Sequence, residues 1–102
     1  MMQTYHVYLM GTPAEFKAAN IDNLRKNLIE KYPMEIADLG MKITAKTGRM
    51  IGILIATEKN GHVYYLWKKP TENAVGWDLV AVNPKNGKLY PKIDPRVNGR
   101  RS

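Results

Sequence analysis

His62, Tyr64, Tyr65 and Trp67 fall within six residues of the stretch HVYYLWKKP, 62–70, and Lys68 and Lys69 follow them. Aromatic rings stack on nucleobases and ammonium groups neutralise phosphates, so these residue types at this spacing fit a nucleic-acid platform. The same pattern also describes a half-buried β-strand that ends in lysines. Other chemistry is thinly represented. Ser102 is the only serine and cysteine is absent, which excludes a serine triad, thiolate catalysis and disulfides. His6 and His62 fall on different predicted strands, without the spacing of a metal site. There is no glycine-rich phosphate loop and no paired-carboxylate constellation. We therefore expect no cofactor, no metal and no enzymatic activity. The catalysis these side chains still allow is that of a metal-independent ribonuclease, in which Lys, Arg, Tyr and His position phosphate, stabilise charge and move protons.

Charge points the same way. The 102-residue chain carries a net +7. Residues 1–41 hold four basic and five acidic side chains, whereas residues 42–102 hold 12 basic and four acidic ones. A field of that sign attracts polyanions and speeds their association. The longest apolar run, MIGILIA at 50–56, is far short of the ~20 residues of a membrane helix. With no signal-peptide pattern at MMQTYHVYLM, the expectation is a cytoplasmic protein without a membrane partner.

The elements that must position these residues follow from local pattern. QTYHVYLM, 3–10, reads as a strand. In GTPAE, Thr12 suits a helix N-cap, Pro13 the first helical position and Glu15 a capping box. Ile21, Leu24, Leu28 and Tyr32 then form one apolar stripe, with Asn20 or Asp22 available to cap a second helical piece and Pro33 to end it. Strands are predicted at 41–46, 49–57, 62–68, 77–82 and 88–93, with turns at Thr47-Gly48, Asn60-Gly61 and NPKNG. The predicted fold is α+β: an antiparallel sheet of five to six strands with one main helix on one face, in the order β-α-β-β-β-β-β. Residues 1–93 form a single domain, and 94–102 a basic disordered tail.

Two-residue turns set Lys46 opposite Arg49, Thr44 opposite Ile51, Lys42 opposite Ile53, Thr57 opposite Tyr64 and Ile53 opposite Lys68. Opposed residues share a side. One side then collects Met41, Ile43, Ala45, Met50, Gly52, Leu54, Ala56, Val63, Tyr65 and Trp67. Because the polar residues of MKITAK all fall on the other side, this first side is the expected core. The other side presents an apolar stripe, Ile51, Ile53, Ile55 and Leu66, rimmed by Lys42, Lys46, Arg49, His62, Tyr64 and Lys68. Apolar surface with a basic rim is the expected contact for a nucleic acid or a protein partner.

The run GRMIGILIATEKNGHVYYLWKKP, 48–70, resembles the central strands of RelE-type toxins, small basic proteins that cleave messenger RNA. That resemblance implies a ribonuclease site at Arg49, His62, Tyr64 and Lys68. The chain departs from it in lacking a clear helical hairpin and in adding WDLVAVNPKNGKLY, which resembles the closing hairpin of PepSY-type modules. The residues themselves favour a small non-enzymatic binding module. A RelE-like ribonuclease and a homodimeric structural or interaction protein are the alternatives.

Overall fold

The computed structural model describes residues 1–71 and 76–91. Eight elements follow in order: β1 (Gln3–Leu9), β2 (Thr12–Ala18), α1 (Ile21–Lys31), α2 (Pro33–Leu39), β3 (Met41–Ala45), β4 (Met50–Lys59), β5 (His62–Pro70) and β6 (Trp77–Val82). The six strands form one sheet in the order β2-β1-β3-β4-β5-β6, with every neighbouring pair antiparallel. The architecture is a small α+β domain, and no helix among the described residues is long and apolar enough to cross a membrane.

The expected helix start at Thr12 is a strand instead. Met10 and Gly11 both take positive φ, 51° and 84°, the mark of a two-residue hairpin turn. They fold β2 back on β1, with Leu9 opposite Thr12 and Tyr5 opposite Phe16. Along TPAEFKA, Ala14, Phe16 and Ala18 are the more buried positions and Pro13, Glu15 and Lys17 are exposed, a period of two that overrides the cap signal. Pro13 is tolerated because β2 is an edge strand.

The helix begins at the second predicted cap. Asn20 accepts a 2.8 Å hydrogen bond from the Asn23 amide. The expected stripe is real: Leu24 and Leu28 are buried, and Ile21 and Tyr32 pack against the core. Pro33 ends α1, as its restriction on Tyr32 requires, and then starts α2 at the first helical position.

The core forms where expected. Leu24, Leu28, Ile29 and Ile36 of the helices meet Tyr5, Val7, Met41, Ile43, Leu54, Trp67 and Val82 of the sheet. Trp67 is 3% exposed. Its ring lies where a side chain of Gly52 would stand, since a Cβ there would come within 2.3 Å of Trp67 Cζ2. On the ring's surroundings Arg25 adds a guanidinium, with Cζ 4.7 Å from the centroid. Arg25 is 2% exposed. It pairs with Asp22 and donates from Nε to the Gly87 carbonyl at 2.8 Å. Burial pulls its pKa below the ordinary value, while the charges of Asp22 and Tyr5 oppose that pull. Arg25 thus ties the turn after β6 to α1.

Two strand expectations need correction. A β-bulge falls in the β3–β4 pairing, so Thr44 lies opposite Met50 and not Ile51. Of the predicted strand 88–93, the described part makes one bridge, Val82 to Leu89. Residues 92–93 and the predicted tail 94–102 lie outside the described residues.

Candidate functional site

Both helices cover one side of the sheet, and the other side is the candidate site. The β4–β5 hairpin has the expected register, with Lys42 opposite Ile53, Ile53 opposite Lys68, Ile55 opposite Leu66 and Thr57 opposite Tyr64. Asn60 and Gly61, at φ 55° and 79°, form the turn that sets it. β6 then adds Leu79 opposite Lys68, Ala81 opposite Leu66 and Trp77 opposite Pro70. On the far side, His6 lies opposite Thr44 and Glu15, and Tyr8 follows it on the same face.

The face is apolar in its middle and cationic over its aromatic rings. Ile53, Ile55 and Leu66 are half-buried. Tyr64, Trp77 and Leu79 are 50%, 47% and 55% exposed. Lys42 Nζ stands 4.3 Å from the Tyr8 ring centroid, and Lys68 Nζ 4.9 Å from that of Trp77. At the start of β3 a notch of about 580 Å³ opens among Tyr8, Leu39, Gly40, Lys42 and Ile53. Gly40 makes it possible: a Cβ there would stand 3.1 Å from Ile55 Cγ2. Among the described strand residues of this face, Lys17, Lys42, Lys59 and Lys68 face a single carboxylate, Glu15 on the edge strand. Thr44 is buried within the sheet, and its Oγ1 has no hydrogen-bond partner.

The sequence-predicted residues divide into groups. Lys42, Tyr64, Lys68, Ile53, Ile55 and Leu66 come together on the open face. His62 stands at its margin, beside the Asn60-Gly61 turn and 6.5 Å from the Tyr64 ring. Ile51, at the bulge, packs against the core instead of joining the stripe. Lys46 and Arg49 belong to the β3–β4 turn and line a separate cleft with Lys69. Arg49 precedes β4, whereas His62 pairs with its last residue, Lys59. Ten residues of strand separate the two positions, about 33 Å. The set Arg49, His62, Tyr64 and Lys68 therefore does not converge on one phosphodiester.

Trp77, Leu79 and Tyr8 were not among the predicted site residues. The alternation in WDLVAV marks Trp77 and Leu79 as sharing a side, but their register against β5 depends on a loop whose length does not fix it. Tyr8 stays hidden because Thr12, Pro13 and Glu15 imitate a helix start in the strand that follows β1. Among the described residues no group of His, Cys, Asp and Glu is arranged to hold a metal ion. Comparison with protein-family models, curated proteins and solved structures gives no match.

Proposed function

We propose that the chain is a non-enzymatic module that binds single-stranded nucleic acid across the open face of its sheet. The observation that carries this reading is the half-exposure of Tyr64 and Trp77 on a face whose described charges are basic except for Glu15. An aromatic ring held flat on a sheet offers a stacking surface to any base, and flanking lysines follow the phosphates. Lys68 beside Trp77 and Lys42 beside Tyr8 supply both interactions in pairs. A protein partner or a second copy would also use the apolar middle of the face, but neither needs the lysines. The ribonuclease alternative lacks a shared site for Arg49 and His62.

Binding of a fluorescent oligothymidylate should weaken steeply with salt. If Lys17, Lys42, Lys59 and Lys68 each neutralise one phosphate, the slope of log K against log salt is about −3 on a single strand. Lys42→Ala should flatten it by about 0.7. Tyr64→Ala should lower affinity by about 1–3 kcal/mol with the slope little changed. A slope near zero, or affinity unchanged from the parent in both variants, would remove the nucleic-acid reading. Sedimentation of the free protein completes the test, because a dimer dissociated by Leu79→Asp would assign the face to a second copy. Cleavage of the strand would instead favour the ribonuclease.

A further inference from the structure

A second recess lies at the end of the sheet where α1 begins. It measures about 980 Å³. Its lining includes Lys46 and Arg49 of the β3–β4 turn, Lys69 near the end of β5 and Asn20 and Ile21 at the start of α1. Its apolar floor is formed in part by Tyr5 and Ile51, and among the described residues no carboxylate lines it. The acid closest in register, Asp78 opposite Lys69, is not among the lining residues. Asp22 in the first turn of α1 is held by Arg25.

Three independent features converge here. The first is charge: three cations gather around one apolar hollow, with no anion on its walls among the described residues. The second is an aromatic wall: Tyr5, 9% exposed, lines the recess beside Ile21 and Ile51. The third is the bulge, which turns Ile51 out of the open-face stripe and onto the floor of this recess. Bulges re-aim side chains next to binding sites. The N-terminal end of α1, 11 residues long, adds its positive dipole to the same space.

We infer that this recess binds a small phosphomonoester with an apolar body. The phosphate carries nearly two negative charges at neutral pH and takes Arg49 as a fork, with Lys46 and Lys69 as point charges. The apolar body lies on Tyr5, Ile21 and Ile51. None of the cations or apolar residues assigned to it is among those assigned to the open face, so it stands or falls separately from nucleic-acid binding.

Phenyl phosphate is the probe, with phenol and inorganic phosphate as controls, followed by amide shifts of the isotope-labelled protein. The expected result is saturable shifts at 20–21, 45–51 and 69, tighter for phenyl phosphate than for either control. Arg49→Gln and Lys69→Gln should each weaken binding about tenfold, as loss of a charge-assisted contact does. Tyr5→Phe, which keeps the ring on which the apolar body lies, should leave binding nearly unchanged. Equal binding of phenol, shifts confined to 64, 77 and 79, or no saturation at millimolar ligand would each overturn the inference. So would an oligothymidylate that shifts 45–51 while phenyl phosphate does not, because the cations would then serve the strand.

Discussion

Replacing Trp67 with alanine should lower folding stability by about 3–5 kcal/mol. The magnitude follows from what the ring holds together. It fills the space left by Gly52, it is 3% exposed, and it carries the Arg25 guanidinium 4.7 Å from its centre. Truncation removes the largest side chain of the core, opens a cavity against a strand that has no Cβ to fill it, and strips a buried cation of its aromatic neighbour. A domain of this size has about 5–15 kcal/mol in total, so the variant should unfold at a much lower urea concentration with a similar slope. A loss below about 1 kcal/mol would mean that the ring is not the keystone of the core.

Gly87→Ala should be the second costly change, at about 2–5 kcal/mol. Two effects add. Gly87 has φ +75°, where any side chain costs about 1–2 kcal/mol. Its Cβ would also stand 1.9 Å from the Asp22 carbonyl oxygen and 2.8 Å from the Lys26 nitrogen, both backbone atoms of α1. Backbone cannot step aside as a side chain does, so the turn must lift off the helix and break the bond from Arg25 Nε to the Gly87 carbonyl. Such overpacking adds about 1–3 kcal/mol. Gly48→Ala is the control. Its φ is +95°, but its Cβ would meet nothing within 4 Å, so only the backbone cost applies. Chemical denaturation of the two variants should rank Gly87→Ala clearly below Gly48→Ala. Equal losses would show that the docking of the turn on α1 contributes little.

What the sequence revealed and what it hid have separate physical causes. The β4–β5 hairpin was legible because Asn60-Gly61 prescribes a two-residue turn, and a turn of known length fixes the register of every residue beyond it. With the polar residues of MKITAK marking the open side and the turn before β4 placing Lys42, that register yields the burial of Trp67, the exposure of Tyr64 and the grouping of Lys42, Ile53 and Lys68. The β1–β2 hairpin was concealed. Methionine seldom adopts positive φ, so Met10-Gly11 does not announce a turn, while Thr12, Pro13 and Glu15 imitate a helix start. The alternation of Ala14, Phe16 and Ala18 was the competing signal.

The bulge that displaced Ile51 had a trace as well. An isolated glycine inside a strand, Gly52, marks either a bulge or a close approach, and here it accompanies both. The same alternation puts Val63 on the helix side of the sheet, yet at the turn end of β5 it is exposed. The recess by Lys46 and Arg49 had no trace in the sequence. It exists because α1 starts beside the end of the sheet, and the position of a helix over a sheet is set by packing of the whole core, not by any local pattern.

Amide-shift mapping of the labelled protein with an unlabelled oligothymidylate tests the central claim most directly. The account predicts saturable shifts at 42, 53, 55, 64, 66, 68, 77 and 79, with residues 24–29 of the buried helix face little affected. The shifts should shrink as salt rises, through counterion release. Shifts that track protein concentration and not oligonucleotide, or none at the open face at low salt, would contradict the assignment of this face to nucleic acid.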